Sequence, residues 1–335
     1  MRFVVTTAMT ILVTGSAGHL GEALLRSLRE AQRTARGLDL NPSPFTDLVG
    51  SIRDRKFVRD AMTDIRAVIH AATLHKPHVG THSNQEFIDT NIGGTLVLLE
   101  EAVAAAVEAF VFTSTTSAFG SALTPAPGQP AAWITEDVAP VPRNIYGVSK
   151  FAAESLCELF ARRHDLPIVV FRVSRFFPEA DDDAEVRRRY EIANAQANEL
   201  SYRRVDIADV VSAHVLALEK ARALGFGRYI ISAPTPFDRD ELVALRHDAP
   251  KVVRRLFPEY EGLYKARGWS FFPEIDRVYV SRRAVAELGW SPKYDFRQML
   301  DCLVTNRDFR SPLARVVGSK GYHATTFSDG PYPVR

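Results

Sequence analysis

Residues 11–21 read ILVTGSAGHLG, an apolar run that passes directly into evenly spaced glycines. The apolar part, residues 11–13, is typical of a short buried strand, and leucines at helical spacing follow between Leu20 and Leu28. A strand that enters a helix through a G-x-x-G-x-x-G turn presents backbone N–H groups and the positive end of the helix dipole to one point. The stretch therefore predicts a site for the pyrophosphate of a dinucleotide.

The carboxylate of Asp39 supports the same interpretation. It lies 18 residues after Gly21, at the end of a second predicted strand, Ala35–Leu40. A carboxylate in this position can bind both ribose hydroxyls of NAD and would repel the 2′-phosphate of NADP. The alternative is that Asp39 only begins the turn Asp39–Pro44, but the spacing favours the ribose contact. NAD is therefore the predicted cofactor.

Strand and helix patterns alternate through much of the chain. Beyond the elements already named, strands are predicted at 67–69, 110–112, 167–173 and 229–231, and helices at 84–107, 149–163 and 205–219. This alternation predicts an α/β fold, a Rossmann-type doubly wound parallel sheet with a smaller C-terminal substrate-binding lobe. We expect an NAD-binding domain at 1–175 completed by about 204–232, a lobe at 176–203 and 233–317, and a tail at 318–335.

Composition excludes several other classes of protein. The chain has 335 residues, of which 46% are hydrophobic and 24% charged, as in ordinary globular proteins. The net charge of +2 gives no global attraction to nucleic acid or to an anionic membrane surface. The longest apolar run, Ala102–Val107, has six residues, whereas a membrane span needs about 20. The two cysteines, Cys157 and Cys302, cannot form a disulfide framework.

The first residues resemble a secretion signal only loosely. Arg2 precedes apolar residues, but threonines interrupt the apolar stretch and the glycine turn follows at once. We expect Met1–Thr7 to be a short extension and the protein to be cytoplasmic.

A tyrosine and a lysine four residues apart carry the predicted chemistry. Tyr146 and Lys150, in the stretch YGVSK, fall on one face of a helix. An ammonium beside a phenol favours the phenolate and would lower the pKa of Tyr146 from about 10. Such a tyrosine can take a proton from a carbinol while a hydride leaves. YxxxK alone is common, but here it follows the glycine turn and a Ser/Thr cluster at 113–117.

Together these features resemble the extended short-chain dehydrogenase/reductase family, in its NAD-dependent epimerase/dehydratase group, over roughly residues 9–300. The other motifs that carry the resemblance are HAA at 70–72, NIGGT at 91–95, TSTTS at 113–117 and LGWSP at 288–292. The resemblance implies hydride transfer at a carbinol of a sugar or nucleotide-sugar. It makes Tyr146 the base, Thr115 the hydroxyl beside the reacting oxygen, and Lys150 the group that holds the nicotinamide ribose.

The resemblance also implies two sets of binding residues. The set implied for NAD is Gly15, Ala17, Gly18, His19, Leu20, Asp39, Ser51, Ile52, Ala71, Ala72, Asn91, Ser114, Tyr146 and Lys150. The set implied for the substrate is His75, Thr115, Thr116 and Arg175. Asp54, with Ile52, falls where the family closes over adenine.

Departures from the family pattern leave the reaction open. Thr116 and Ser117 stand where sugar 4,6-dehydratases carry Asp and Glu. Arg175 stands where nucleotide-sugar epimerases usually carry Asn, and the stretch SYRRVDIAD at 201–209 lacks the leading Arg of their motif. The stretch RVSRFFPE at 172–179 is more similar to uronate dehydrogenases. The prediction is therefore an NAD-dependent epimerase/oxidoreductase, with a free-sugar-acid dehydrogenase and a non-catalytic NAD-binding regulator as alternatives.

Four further expectations concern ligands, a charged loop and assembly. Histidines at 70, 75, 78 and 82 could suggest a metal, but no cysteine joins them, so we predict no metal and favour His75 as a substrate contact. Arg175 could bind a substrate carboxylate or pair with Asp181 or Glu179. The charged run 179–190 is expected to be a solvated loop. The helices at 84–107 and 149–163 resemble the pair that forms a dimer in the family, and their wide apolar arcs predict a homodimer.

Overall fold

Seven parallel strands form the central sheet in the part of the chain that the structure describes. The structure is a computed structural model, and it describes residues 9–321 and residue 327. The predicted extension Met1–Thr7 and most of the predicted tail lie outside the described residues.

The strands in chain order are β1 (Ile11–Thr14), β2 (Ala35–Asp39), β3 (Leu48–Val49), β4 (Ala67–His70), β5 (Ala109–Thr115), β6 (Ala132–Ile134), β7 (Ile168–Val173), β8 (Phe226–Ile231) and β9 (Arg277–Tyr279). The α-helices are α1 (His19–Glu30), α2 (Arg55–Ala61), α3 (Asn84–Phe87), α4 (Gly94–Ala104), α5 (Ile145–His164), α6 (Ala184–Arg189), α7 (Ile192–Glu199), α8 (Ile207–Leu224), α9 (Leu242–His247), α10 (Ala249–Leu256), α11 (Tyr260–Lys265), α12 (Phe296–Val304) and α13 (Pro312–Val317).

The order of strands in the sheet is β3-β2-β1-β4-β5-β7-β8, so the winding reverses between β1 and β4. Ile11 of β1 pairs with Ala35 of β2 on one side and with Ala67 of β4 on the other, both in parallel. In an open parallel sheet, ligands bind outside the carboxyl ends of the strands at such a reversal. The predicted doubly wound sheet is confirmed.

Helices cover both faces of this sheet because successive side chains of a strand point to opposite faces. Ile11 and Val13 pack with residues of α1 and α8, whereas Leu12 packs in the cluster that contains residues of α2, α4 and α5. All three side chains are fully buried. Burial on both faces is the usual condition for an all-parallel sheet.

A separate apolar cluster lies in the C-terminal part of the chain. Residues of α7 and α9–α12 form most of it, among them Val253, Tyr264 and Phe296. Beside it, β6 and β9 pair in parallel although they are far apart in sequence. This core lies where the sequence predicted a smaller C-terminal lobe, and the boundaries of that lobe stay a prediction.

The limits of several elements differ from the expectation. The strands β3, β6 and β9 were not predicted, because two or three residues are too few to show a period. The predicted helix 84–107 is α3 and α4 joined by a π-helical turn, Ile88–Gly93. The helix α5 begins before residue 149, because Asn144 caps it by accepting a hydrogen bond from Gly147 N at 3.0 Å. No helix within residues 9–321 is long and apolar enough to cross a membrane.

Candidate active site

A groove of about 1020 Å³ follows the carboxyl ends of the strands. One end is lined by Asp39, the middle by the glycine turn, and the far end by Tyr146 and Phe177. Of the residues predicted to contact cofactor or substrate, all except Asn91 and Lys150 line it. The sheet therefore brings most of the predicted site to one continuous surface.

Only glycine fits the turn between β1 and α1. Gly15 has a φ of +76°, and a Cβ there would lie 2.7 Å from Ala72 N, in the loop after β4. A Cβ on Gly21 would lie 2.0 Å from Gly15 O, so α1 could not approach the turn as it does. Gly18 precedes α1 and has no side chain to occupy the N-terminus of the helix. The turn thus leaves bare backbone and a helix N-terminus facing a groove, which suits a pyrophosphate.

Asp39 lies at the end of β2 and also fixes the glycine turn. Its Oδ2 accepts a hydrogen bond from Ala17 N at 3.0 Å, and its Oδ1 accepts one from Asn41 N at 2.9 Å. Each carboxylate oxygen has a second lone pair, so these bonds leave capacity for ribose hydroxyls. Asp54 has a different role, because it caps α2 by accepting from Phe57 N at 3.1 Å. The neighbouring Ser51 and Ile52 line the groove, whereas Asp54 does not.

His70 is a structural residue of the sheet. It is 1% exposed, and its two ring nitrogens bond Thr14 Oγ1 at 2.8 Å and Thr95 Oγ1 at 3.0 Å. Burial holds its pKa well below 6.5, so the ring is neutral. Within the described ranges, no three His, Cys, Asp or Glu side chains are placed to hold a metal ion.

Asn91 is 1% exposed and lies behind the groove rather than among the residues that line it, and its contact with NAD stays a prediction. Its side-chain oxygen accepts from Leu74 N at 2.8 Å and Thr73 Oγ1 at 2.9 Å, and its amide donates to Ser149 Oγ at 2.9 Å. The π-helical turn places this amide between the loop after β4 and α5. Asn91 therefore positions that loop against the helix that carries Tyr146.

The hydroxyls of Thr115 and Tyr146 meet at the end of β5. Each residue is 8% exposed. Burial raises the pKa of Tyr146 to about 12, although hydrogen bonding by the neighbouring Thr115 side chain acts in the opposite direction. The predicted pKa below 10 is wrong for this structure, because desolvation of the phenolate outweighs the favourable contacts.

Lys150 is buried one helical turn beyond Tyr146. It is 2% exposed, and its Nζ lies 4.0 Å from the centroid of the Phe112 ring. Burial lowers the pKa of Lys150 to about 7, while the nearby Cys157 and Glu154 raise it. The fraction of Lys150 that is protonated at neutral pH therefore depends on the charges of these neighbours.

A buried ion network lies beneath these residues, and the sequence analysis missed it. Glu154 is completely buried and accepts hydrogen bonds from Ser114 Oγ at 2.6 Å and from Arg172 Nη2 at 2.8 Å. Arg172 is 1% exposed and lies in β7. Two signals could have revealed the network: Glu154 continues the i, i+4 series of Tyr146 and Lys150, and Arg172 interrupts an otherwise apolar strand.

The predicted substrate contacts lie at the Tyr146 end of the groove. The ring centroid of His75 lies 6.3 Å from that of Tyr146 and 5.8 Å from that of Phe177. Burial holds the pKa of His75 well below 6.5, and the neighbouring His78 lowers it further. Thr116 begins the turn after β5 and lines the same end.

Arg175 pairs with carboxylates of its own chain. Its Nη1 lies 3.0 Å from Asp181 Oδ2 and 3.3 Å from Asp182 Oδ1, so its partners include Asp181 but not Glu179. Asp182 also binds Lys76. The prediction of a solvated loop at 179–190 is wrong for its first part, because the Asp181 side chain is 6% exposed.

Comparison with protein families matches residues 11–231 to the NAD dependent epimerase/dehydratase family. The match covers about two thirds of the chain and spans the sheet from β1 to β8. The chain belongs to this family, and the protein is an NAD-dependent enzyme. The resemblance inferred from the sequence motifs is confirmed, while the local similarity to uronate dehydrogenases stays a prediction.

Several curated proteins are similar over part or most of the chain. Uncharacterized protein y4nG of Sinorhizobium fredii is 28% identical over 317 residues, 87% of this chain and 76% of that protein. An NAD-dependent glucose-6-phosphate dehydrogenase of Haloferax volcanii is 33% identical over 179 residues, 49% of this chain and 67% of that protein. A UDP-glucose 4-epimerase of Erwinia amylovora is 32% identical over 171 residues, 46% and 49% of the two chains.

A solved structure supports the fold. A short-chain dehydrogenase/reductase superfamily protein from Agrobacterium tumefaciens, with bound NAD, superposes with a TM-score of 0.61 at 24% identity. The match covers 88% of this chain and 96% of that chain.

Proposed function

We propose that this protein transfers a hydride between NAD and a carbinol of a sugar or nucleotide-sugar, with Tyr146 as the base. The observation that carries the proposal is that the buried Tyr146 and Thr115 line the same groove as the glycine turn. A proton acceptor and a bare-backbone pyrophosphate cradle on one surface are what hydride chemistry at a carbinol requires.

The residues present fit NAD. The cradle between Gly15 and Ala72 has no room for a Cβ, so backbone alone faces that part of the groove. Gly15, Ala17 and Gly18 would hold the pyrophosphate, and Asp39 the adenosine ribose. NAD bound there supplies the hydride acceptor, and the remaining chemistry falls to side chains of this chain.

Tyr146 takes the carbinol proton, and Thr115 and Lys150 support it. Thr115 Oγ1 accepts a hydrogen bond from Ser117 N at 3.1 Å, so its own proton can be donated to Tyr146 or, with substrate bound, to the oxygen that becomes negative. Because burial raises the pKa of Tyr146 to about 12, a nearby positive charge must favour the phenolate during turnover. We assign that charge to Lys150 one helical turn away, whose pKa of about 7 leaves it partly protonated at neutral pH.

The substrate class rests on the relatives. A UDP-glucose 4-epimerase and a glucose-6-phosphate dehydrogenase are similar to this chain at comparable identity. Both reactions would begin with hydride removal from a sugar carbinol, so the similarity supports that step for either reaction. An epimerase returns the hydride to the other face of the keto-sugar, whereas a dehydrogenase releases NADH. The alternative of a free sugar acid loses one contact, since Arg175 already pairs with Asp181 and Asp182. We therefore favour the epimerase-type reaction over the uronate-dehydrogenase-like one.

A substrate panel separates these reactions. Purified protein is incubated with nucleotide-sugars, sugar phosphates and sugar acids, and both NADH absorbance and the stereochemistry of the sugar are followed. Isomerised sugar without net NADH supports the epimerase, and net NADH supports the dehydrogenase. If neither change occurs across the panel although NAD binds, the proposed hydride chemistry at a sugar is contradicted.

We also propose a homodimer formed through α4 and α5. These helices contact each other, and Ile88 and Val148, beside α4 and in α5, are 41% and 46% exposed. Light scattering at micromolar concentration tests the assembly, and a monomer there contradicts it.

A further inference from the structure

Three segments that are distant in sequence meet beside the glycine turn. They are the start of α1, the loop 176–183, and residues 318–321 after α13. Glu179 Oε1 lies 2.9 Å from His19 Nε2 and accepts a hydrogen bond from Ser319 Oγ at 2.7 Å. Lys320 N lies 3.1 Å from His19 Nε2 and 3.2 Å from Glu179 Oε1. One carboxylate thus links all three segments.

This junction is shielded from solvent. The side chains of His19 and Glu179 are 6% and 9% exposed. The contacts with His19 and Ser319 help to hold the pKa of Glu179 near 2 despite its burial, so the carboxylate is ionised at neutral pH. A hydrogen bond to an ionised group is stronger than one between neutral groups, and partial burial weakens the competition from water.

The loop 176–183 has a second attachment at its other end. Asp182 binds Lys76, which lies in the turn after β4, and also Arg175. The ring of Phe177 lies between these attachments, with centroids 6.0 Å from His19 and 5.8 Å from His75. The loop therefore connects the dinucleotide side of the groove to its substrate side and is anchored at both.

Both segments form part of the groove wall. Phe176, Phe177 and Asp182 of the loop and Lys320 and Gly321 of the tail line the same groove as the glycine turn. The helix N-terminus and the bare backbone at this place are the features that suit the pyrophosphate. The junction at Glu179 consequently lies next to the place where the pyrophosphate of a dinucleotide would bind.

We propose that the loop 176–183 and residues 318–321 together slow the release of the bound dinucleotide, and that the Glu179 carboxylate holds these two segments together. We call the two segments the clasp. The clasp rests on the proposed function, because it requires NAD at the glycine turn. Its segments must separate for the dinucleotide to leave, so the rate of release includes the breaking of the Glu179 contacts. Slow release of NADH favours return of the hydride to the same sugar, which is the epimerase-type outcome.

The release rate of NADH tests the clasp without any knowledge of the substrate. Protein loaded with NADH is mixed with a large excess of NAD, and the decay of NADH fluorescence gives the rate. Glu179→Gln keeps the size of the side chain and removes its charge, and it should release NADH roughly tenfold faster or more. Glu185→Gln is the matched control, since Glu185 is 56% exposed and pairs only one turn away with Arg188. It should release NADH at the wild-type rate.

A second pair of variants isolates the tail contact. Lys320→Pro removes the backbone N–H that faces His19 and Glu179, whereas Lys320→Ala keeps that N–H and loses only the side-chain bond to Glu22. The proline variant should release NADH several-fold faster than the alanine variant. Because residue 320 lies at the periphery, this pair remains informative if Glu179→Gln does not fold.

The outcomes separate the clasp from the function on which it rests. Release at the wild-type rate in Glu179→Gln, or equal rates in the two Lys320 variants, overturns the clasp while NADH binding still stands. A protein that binds no NADH in the loading step overturns both.

Discussion

Ser114 donates its only hydroxyl proton to Glu154 across 2.6 Å, and both side chains are buried. With that proton committed, Ser114 Oγ can offer only lone pairs to the groove that it lines. Towards a group bound in the groove, Ser114 can therefore only accept a hydrogen bond. Glu154, 40 positions further along the chain, thus determines that Ser114 acts as an acceptor.

The first prediction concerns the Glu154 carboxylate. Glu154→Gln leaves the Arg172 guanidinium buried without its counter-charge, since Arg172 is 1% exposed. Breaking one partner of a buried pair should lower the free energy of unfolding by about 3–5 kcal/mol. Urea denaturation measures this. Glu158→Gln, one turn along α5 and 39% exposed, should cost at most about 1 kcal/mol. Equal losses of unfolding free energy in the two variants would show that the buried ion pair contributes no more to stability than the partly exposed one.

How well the sequence predicted this site depends on how far apart in sequence the contacting residues are. The glycine turn and the Tyr146–Lys150 pair are local patterns, and the structure places the turn and Tyr146 on one groove, with Lys150 buried behind it. The pKa of Tyr146 was predicted in the wrong direction, because that direction depends on burial by surrounding residues that spacing does not report. The contact between His19 and Glu179 joins residues 160 positions apart, so no local pattern announces it.

Asp39 carries a prediction about cofactor choice. The wild-type protein should bind NADH more tightly than NADPH, because the Asp39 carboxylate repels a 2′-phosphate. Asp39→Ala should narrow this difference and also weaken NADH binding, since Ala17 N loses its partner. Fluorescence titration with both dinucleotides measures the two affinities. Asp54→Ala is the control: it removes the cap of α2 and should lower stability without changing the ratio. Wild-type affinity for NADPH equal to that for NADH would contradict the role of Asp39.

Tyr146 and Thr115 carry a prediction about the chemistry. Tyr146→Phe keeps the ring and removes the proton acceptor, so turnover on the identified substrate should fall by roughly 10²–10⁴ with NADH binding nearly intact. Thr115→Ser should have a mild effect and Thr115→Val a severe one, because only valine lacks the hydroxyl that lowers the pKa of Tyr146. Steady-state kinetics and NADH titration on the same preparations separate the two effects. Turnover in Tyr146→Phe close to wild type would refute Tyr146 as the base.

His214 carries a prediction about stability and pH. It is completely buried in α8, its Nδ1 faces Val210 O at 2.8 Å, and its Nε2 faces Thr113 Oγ1 at 2.9 Å. A ring nitrogen beside a carbonyl must donate, so the neutral tautomer with the proton on Nδ1 satisfies both contacts.

Burial lowers the pKa of His214 from 6.5 to about 4. The unfolded chain therefore binds the proton more readily than the folded protein between these values. The stability that His214 contributes is complete above about pH 6.5 and is lost as the pH falls towards 4, by about 3 kcal/mol. The buried His70 and His75 act in the same direction, whereas Asp209, whose pKa is raised to about 6, acts in the opposite one.

Because several groups contribute, the comparison with a variant isolates His214. His214→Gln cannot take up a proton in this range, so its unfolding free energy should fall less steeply between pH 6.5 and 4 than that of the wild type. At pH 7 the variant should be the less stable of the two, because glutamine does not reproduce both ring contacts. Urea denaturation at half-unit pH intervals measures both curves, and the gap between them should narrow as the pH falls. Curves that stay parallel from pH 7 to pH 4 would show that His214 does not titrate on unfolding.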